Sequence, residues 1–560
     1  MSLAYKPLYR GAFFYKKEDK MKLNFSLRAR RTDEQYARVR VWTTDKQWEL
    51  YEALLSAHLY DSYPGVPERG SSEGQTSAVC GDRATFCPEP NPRTFYHQPA
   101  AQLAAIRKLI WDNDPLFVAR LAIYFREQLH LRTLSFVLAA ELAEVCKDKA
   151  LIGMLIGRVI QQANEIPIWL DYYARAGGRR AEKFLRVNPL VRKYLATHFN
   201  GLDAYRFVRL TKVQQARLRY AMSLVKPKAA GKAQQALFRR ILQDKLPARN
   251  EWQSEYEALL QQHYDSPELR QSALREKWKE GISTFRMGYN TLVEKLPDVL
   301  AAGVSGKVLK LAAEYLGNAA AVAGSYMSPQ QFLDAYRRLQ RREQGGAALL
   351  QEALEQAIRH SADHLAGLDE RDRMVIAMDI SPSMRYPIKE GSLVERYDIA
   401  PMLAMLLAGR GMSVSTGIIG NTWKHTTLSG HHIFYELDQL HKKEGGAGYA
   451  INAHLVIRDL LRKGEIVDKV MIFTDTTLWD HRPFNQGVEA DLGRIWRQYR
   501  QLAPQAKLCL FDLAGYGKKP LECLEDGVYL MAGWSEAVFQ VLNGLDNGDR
   551  HMDLIEGIVL

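Results

Sequence analysis

A short apolar run that ends in alternating oxygen-bearing side chains is the feature that most constrains the fold of this chain. Residues 374–378 read Met-Val-Ile-Ala-Met, and residues 379–383 read Asp-Ile-Ser-Pro-Ser. A continuous apolar run of this length is typical of a parallel strand that is buried on both faces. The aspartate and the two serines are therefore expected on one turn at the carboxyl edge of a sheet, where open α/β sheets bind ligands.

A second apolar run, at residues 470–473, ends in Thr474 and Asp475 and so places another carboxylate at the same edge. Carboxylate and hydroxyl oxygens suit a hard divalent cation such as Mg²⁺, which keeps several waters when a protein binds it. The candidate metal ligands are Asp379, Ser381, Ser383 and Asp475. A simpler interpretation is that the residues after the first run only cap the turn that follows it, as such residues often do.

Strand and helix patterns alternate from residue 374 to the end of the sequence. Apolar runs predict strands at 374–380, 413–419, 469–475 and 506–513, with an additional edge strand at 432–437. Helical periodicity predicts helices near 395–410, 450–462, 493–502 and 535–542. This alternation is typical of a doubly wound, Rossmann-like parallel sheet. We therefore assign residues 369–560 to a C-terminal α/β domain.

The turn at residues 379–383, together with Asp475, resembles the metal-ion-dependent adhesion site of von Willebrand factor type A domains. The resemblance implies a bound divalent metal such as Mg²⁺. In such domains a threonine after a Gly-Gly pair supplies a further ligand, whereas this chain has Ala447 at that place. Without that hydroxyl, the two serines are expected to be the direct ligands and the two aspartates to act through water, with weakened affinity.

The region from about residue 100 to residue 364 shows helical periodicity without any strand pattern. Pro115 and Pro167 fit the first turns of two of its predicted helices. Successive helices joined by short loops predict an α-solenoid, and the lack of a strict sequence period favours HEAT-like helix pairs. We therefore assign residues 100–368 to a mainly α domain.

Positive charge is concentrated in one stretch of this helical region. Residues 171–250 contain 19 Lys and Arg but only four Asp and Glu, so their net charge of +15 exceeds the +12 of the whole chain. Such asymmetry favours a polyanion partner, with nucleic acid as the main candidate. A solvated helix surface is the alternative interpretation, although solvated faces usually carry both signs of charge.

Several segments of the helical region resemble the TROVE module of the Ro autoantigen family, in which a type A domain follows a basic solenoid. The matching segments are residues 129–133, 157–161, 169–173, 191–200, 222–228, 302–305 and 325–336. The resemblance implies a monomeric, closed ring of HEAT-like helices clasped by the type A domain. It also implies that part of residues 1–99, an extension with a long Gly-, Ser- and Pro-rich loop, belongs to the ring.

In that family, single-stranded ends of misfolded RNA enter the basic hole, and small noncoding RNA of the Y type binds the outer surface. The resemblance implies RNA quality control or processing, with a ribonuclease or RNA-repair enzyme as a further partner. The basic residues that we select as RNA contacts are Arg158, Arg192, Lys193, Arg206, Lys212, Arg217, Arg219 and Lys226. The chain departs from the family at Glu294, which stands where relatives have an arginine.

A different class of function is compatible with the same architecture. The type A domain could act as a metal-dependent protein adaptor with the solenoid as a protein scaffold, because solenoids present extended binding surfaces. An enzyme is not expected, since the sequence has neither the phosphate-binding Gly-x-x-x-x-Gly-Lys-Ser/Thr loop nor a zinc signature.

Three bulk features bear on the compartment. The sequence has no run of 18 or more apolar residues, so no membrane span is expected. Its first residues, Met-Ser-Leu-Ala-Tyr-Lys, lack the apolar core of a secretion signal. The five cysteines are scattered and odd in number, which fits a reducing compartment. We therefore expect a cytoplasmic protein.

Overall fold

The computed structural model describes residues 45–57, 95–97, 100–177, 187–202, 204, 207, 212–244, 252–341, 346–364, 369–388, 392–448, 451–475, 488–514, 527–535, 537–547 and 549–560. Its first part is helical. The helices are α1 (Asp45–Ala57), α2 (Ala100–Asp112), α3 (Pro115–Glu127), α4 (Arg132–Val145), α5 (Lys149–Val159), α6 (Ile166–Ala176), α7 (Pro189–His198), α8 (Lys212–Val225), α9 (Lys232–Leu242), α10 (Trp252–Gln261), α11 (Pro267–Ser283), α12 (Tyr289–Glu294), α13 (Leu296–Ala301), α14 (Gly306–Leu316), α15 (Ala319–Ser325), α16 (Pro329–Gln340) and α17 (Ala347–His360). Within the described ranges, no helix combines the length and the apolar character needed to cross a bilayer.

Local signals explain where several of these helices begin. Asp114 accepts a hydrogen bond from the backbone N–H of Leu116, and Pro115 occupies the first turn of α3. Asn188 caps α7 in the same way. Side-chain oxygens suit these positions because the first backbone N–H groups of a helix have no partner inside it. The predicted first-turn position of Pro115 is confirmed, and so is that of Pro167 in α6.

Neighbouring helices pack on one another along this part of the chain. α3 contacts α4 and α5, α4 contacts α6, α5 contacts α7, and both α14 and α16 pack on α17. The buried side chains, among them Phe136, Trp169 and Trp278, belong to one apolar core. Such burial, rather than helix propensity, supplies most of the stability of helices this short. The predicted mainly helical region is confirmed, while HEAT-like pairing and ring closure stay predictions.

The second part of the chain is built on a six-stranded sheet. Strands β1 (Arg373–Asp379), β2 (Ser413–Ile419), β3 (Trp423–His425), β4 (Lys469–Thr474), β5 (Lys507–Asp512) and β6 (Val528–Ala532) lie in the order β3-β2-β1-β4-β5-β6. All neighbouring pairs are parallel except β2 and β3, which are antiparallel. Met378 of β1 lies opposite Phe473 of β4, so the carboxyl ends of these two strands meet.

Helices cover this sheet, and their bounds are α18 (Ile399–Gly409), α19 (Ile433–His441), α20 (His454–Lys463), α21 (Val488–Leu502), α22 (Val538–Asn547) and α23 (Asp549–Glu556). Alternate residues of β1 enter two cores. Met374, Ile376 and Met378 belong to one core, and Val375 and Ala377 belong to the other. Burial on both faces explains why β1 is a continuous apolar run. The prediction of a C-terminal α/β sheet with parallel strands is confirmed.

The edge strand predicted at residues 432–437 is wrong. These residues lead into helix α19, in which Ile433, Phe434, Leu437 and Leu440 are buried. Their spacing follows one face of a helix, whereas a half-buried strand alternates residue by residue. The edge strand next to β2 is β3, and the sequence analysis also missed β6 and α23.

The α/β domain contacts the helical part at two interfaces. At the α16 interface, Arg337 pairs with Asp398, and Tyr336 stacks on Phe434 of α19 with 4.1 Å between the ring centroids. At the α23 interface, α1 contacts β6 and α3 contacts α23. The two interfaces involve helices from opposite ends of the described helical part.

Candidate functional sites

The carboxyl ends of β1 and β4 bring the predicted metal ligands to one edge of the sheet. Asp379 ends β1 and is buried. Its Oδ1 accepts a hydrogen bond from the backbone N–H of Ser381 at 2.8 Å, and its Oδ2 accepts one from the Thr474 hydroxyl at 2.9 Å. The hydroxyl oxygens of Ser381 and Ser383 lie 3.0 Å apart. Asp475, which follows β4, is also buried.

The electrostatics of this edge favour a cation. Burial raises the pKa of Asp379 to about 6, and the charge of Asp475 adds to the rise, while hydrogen bonds from Ser381 and Thr474 oppose it. Two interacting buried carboxylates are stabilised either by a proton or by a cation. Two carboxylates and two hydroxyls form an all-oxygen donor set of the kind that Mg²⁺ prefers. The residues therefore fit the metal that the resemblance implies.

The simpler interpretation, in which these residues only cap a turn, describes part of the geometry. The hydrogen bond from the N–H of Ser381 to Asp379 closes a turn, and a short 3₁₀ helix, Pro382–Arg385, follows it. The side chain of Ser381 does not cap that helix. The aspartate thus has a structural role in the turn, whereas the two serine hydroxyls bond to each other.

The loop expected to supply a further metal ligand lies against the end of β2. The carbonyl oxygen of Ala447 accepts a hydrogen bond from the N–H of Thr422 at 3.2 Å. A Cβ on Gly420 would lie 2.5 Å from the same oxygen, so the two loops are in close contact. Nowhere in the described ranges are three or more His, Cys, Asp and Glu side chains grouped to hold a metal. Metal binding at this edge would therefore need the serine hydroxyls and water in addition to the two aspartates.

Helices α7, α8 and α9 carry much of the described basic stretch. Arg192 and Lys193 are exposed on α7, whereas Val191 and Leu195 of the same helix are buried. Lys226 is exposed directly after α8. Because α8 contacts both α7 and α9, the three helices are packed neighbours, and we call the exposed cations on and beside them the basic surface.

The sequence analysis missed the basic residues of α9. Lys232, Arg239 and Arg240 are exposed, while Phe238 and Ile241 are the buried residues of this helix. Residues seven and eight positions apart share one face of a helix, so these cations lie together. The charge count of residues 171–250 contained this signal, but the selected residues lie on or near segments that resemble the family, and the last of them is Lys226.

The selected basic residues differ in whether a carboxylate neutralises them. Arg192, Lys193 and Lys226 form no ion pair with the carboxylates that the structure describes. Arg158 instead binds Glu127 through two hydrogen bonds of 2.6 and 2.5 Å, and it donates a third to the carbonyl of Val559 at 2.7 Å. Arg158 therefore serves the α23 interface.

The other selected residues lie on or near α8. Arg219 pairs with Asp244 at 2.7 Å. Arg217 lies near Asp171, whose pKa is raised to about 7 by burial and is partly lowered by the charge of Arg217. Lys212 begins α8, and nothing is described of its side chain; Arg206 lies outside the described residues.

Comparison with known proteins gives a fold likeness. The sequence matches no family model and no curated protein. The crystal structure of the Ro protein (RSR) of Deinococcus radiodurans matches with 16% sequence identity and a TM-score of 0.56. The match covers 79% of this chain and 93% of that chain. Over most of its length, the chain therefore has the fold of that Ro protein.

Proposed function

We propose that this chain is a Ro-like RNA-binding protein. It binds small noncoding RNA of the Y type on its outer surface and holds single-stranded ends of misfolded RNA in a basic ring. The observation that carries the proposal is the set of exposed cations on the basic surface that face no described carboxylate, namely Arg192, Lys193, Lys226, Lys228, Lys232, Arg239 and Arg240. The fold shared with the Deinococcus radiodurans Ro protein supports the same proposal.

Exposed positive charges without paired carboxylates favour a polyanion as the partner. Like charges on neighbouring helices repel one another and destabilise the free protein. A phosphate backbone relieves this repulsion, and its condensed counterions are released on binding. A protein partner would have to present a comparably dense array of carboxylates, which is less common than a phosphate backbone.

The two domain interfaces support the proposed ring. The α/β domain contacts α1 and α3 near the start of the described helical part and α16 near its end. A domain that binds both ends of a helical array closes that array on itself. Positive residues on the inner side would then surround a hole that attracts single-stranded phosphates.

In this proposal the chain has no catalytic activity of its own and presents RNA to a ribonuclease or RNA-repair enzyme in quality control or processing. RNA that co-purifies with the protein should therefore be small and noncoding. Sequencing that RNA supplies a stem-loop for titration by fluorescence anisotropy.

A charge-reversal variant tests the basic surface with that stem-loop. Arg192→Glu combined with Lys193→Glu should weaken the complex by at least about tenfold at moderate salt, because phosphate contacts are replaced by repulsion. Lys307→Glu combined with Lys310→Glu is the matched control, since both lysines are exposed on α14. An absence of co-purified RNA contradicts the proposal, and so do equal affinities of the two variants for the stem-loop.

We also propose that Asp379, Ser381, Ser383 and Asp475 hold a divalent metal such as Mg²⁺. A bound metal would neutralise the buried carboxylates at this edge. A metal-dependent protein adaptor is the alternative function, and Tyr386 favours it, because this tyrosine is 61% exposed three residues after Ser383. A pulldown after nuclease treatment separates the two functions: a protein partner that persists without RNA but is lost in Asp379→Asn supports the adaptor.

A further inference from the structure

His551 of α23 is buried among aromatic side chains at the α23 interface. It is only 6% exposed. Its ring centroid lies 5.2 Å from that of Tyr51 in α1, 5.2 Å from that of Tyr124 in α3 and 6.1 Å from that of Trp48 in α1. Its Nε2 has no hydrogen-bond partner among the described residues. An imidazole in this position is stable only while it is neutral, because the charged form loses its water without gaining an acceptor.

Among the described residues, the groups that face this imidazole offer no compensating charge. Burial raises the pKa values of Tyr51 and Tyr124, so both phenols are neutral near pH 7. α22 contributes Gly544, where a Cβ would lie 2.5 Å from the imidazole Cε1. On α23 itself, the described charged side chains, Arg550, Asp553 and Glu556, are exposed. Burial alone lowers the pKa of the imidazole to about 4.

We propose that the contact of α23 with α1 and α3 is acid-sensitive and opens when His551 gains a proton. A hydrated histidine in the open form has an ordinary pKa, and it therefore binds a proton at a higher pH than the buried histidine does. Acidification from about pH 6.5 to about pH 4 then favours the open form, whereas the closed form is favoured at higher pH. The inference concerns the interface itself and holds whether or not the protein binds RNA.

Two attractive effects oppose the opening. Aromatic faces attract cations, but the imidazole is inclined at 63° and 83° to the two tyrosine rings, as in edge contacts. Glu52 of α1 acts on Tyr51, and because this carboxylate is partly exposed, solvent and salt screen its charge. The loss of hydration of the imidazolium is therefore the larger effect.

The α16 interface also contains a partly buried histidine, but there a buried ion pair opposes opening. His441 lies 2.8 Å from Arg337 and 3.1 Å from Asp398. Burial lowers the pKa of His441 to about 3, and the charge of Arg337 adds to the effect. Acid would therefore favour hydration of His441 as well, but opening the α16 interface would also break the buried pair of Arg337 with Asp398, which holds that interface closed. The chain also passes from α17 into β1 on this side, so the two parts stay connected when the α23 interface opens.

Hydrogen–deuterium exchange of the full chain tests the proposal. Peptides from α1, α3 and α23 are compared at about pH 7.5 and about pH 5, after correction for intrinsic exchange rates. In the wild-type protein, these peptides should lose on the order of tenfold in protection at the lower pH, relative to peptides from β1 and β4.

Variants assign the effect to one residue. His551→Phe keeps an aromatic ring without a titrating nitrogen. If the larger ring does not fit beside Gly544, His551→Gln replaces it. Either variant should abolish the difference in protection between the two pH values. His263→Gln, at an exposed histidine between α10 and α11, should keep it. Equal protection of the wild type at both pH values overturns the proposal, and so does a folded His551 variant that still opens in acid. If neither variant folds, the wild-type protein alone tests the proposal. Protection of α1, α3 and α23 that does not decrease as the pH is lowered from about 6.5 to about 4 also overturns it.

Discussion

Arg337 of α16 and Asp398 of the α/β domain form a buried, bidentate ion pair. Two N–H groups of Arg337 donate to the two carboxylate oxygens, each at 2.5 Å. Arg337 also donates to the carbonyl of Leu393 at 2.7 Å, and Asp398 accepts a hydrogen bond from the N–H of Glu395 at 2.6 Å. Because each charge has several polar partners, the pair can be buried and can define one position of α16 on the α/β domain.

Removing one partner of this pair should destabilise the protein strongly. Arg337→Met is expected to lower the free energy of unfolding by about 3–5 kcal/mol, because Asp398 is left buried without a countercharge. Denaturant unfolding followed by circular dichroism measures the loss. Arg371→Met is the control: this arginine is 93% exposed and lies 3.7 Å from Asp369, so its loss should cost less than about 1 kcal/mol. Similar losses for the two variants contradict a dominant buried pair.

The cations of α9 should account for part of the salt dependence of RNA binding. Replacing Lys232, Arg239 and Arg240 together by Gln should reduce the slope of log affinity against log salt by about 2–3, one for each lost phosphate contact. Titrations of a stem-loop RNA between about 50 and 200 mM salt measure the slope. Arg158→Gln should change it little, because Glu127 already neutralises Arg158. An unchanged slope in the triple variant places the RNA away from α9.

A threonine at position 447 should strengthen metal binding. Ala447→Thr adds a hydroxyl to the loop beside β2, and the affinity for Mg²⁺ is expected to rise on the order of tenfold as one more oxygen ligand becomes available. Titration calorimetry and thermal unfolding with added Mg²⁺ measure the gain. Ala447→Val is the matched control, because valine has nearly the shape of threonine without its hydroxyl. Asp379→Asn should abolish Mg²⁺ binding. If this variant binds Mg²⁺ as tightly as the wild type does, the site does not lie at this edge of the sheet.

Two glycines of α5 should respond in opposite ways to the same substitution. A Cβ on Gly153 would collide with the ring of Tyr194 in α7, whereas a Cβ on Gly157 meets nothing within 4 Å. Gly153→Ala should therefore destabilise the protein by about 1–3 kcal/mol by displacing α7. Gly157→Ala should stabilise it by up to about 1 kcal/mol, because alanine favours the helix. Thermal unfolding compares the two variants, and equal effects mean that α5 and α7 do not pack as closely as described.

Prediction from the sequence succeeds where the signal is local. A run such as Met-Val-Ile-Ala-Met is apolar at every position because both faces of β1 are buried, and Pro115 precedes a helix because proline suits a first turn. It failed at residues 432–437, where a short apolar segment is compatible with a strand or a helix, and packing against neighbours decides between them. It also passed over β6 because five residues carry too weak a pattern.

The sequence by itself determined the kind of each domain, the edge at which Asp379 and Asp475 lie, and the excess of positive charge in one region, since periodicity and composition are properties of neighbouring residues. Only the tertiary structure decided which groups are free to bind. Arg158 and Arg192 look alike in the sequence. Glu127, 31 residues from Arg158, neutralises Arg158, whereas Arg192 is exposed. His551 likewise becomes buried only when α1 and α3 pack on α23. Burial and ion pairing depend on contacts between residues far apart in the chain, and no local pattern encodes those contacts.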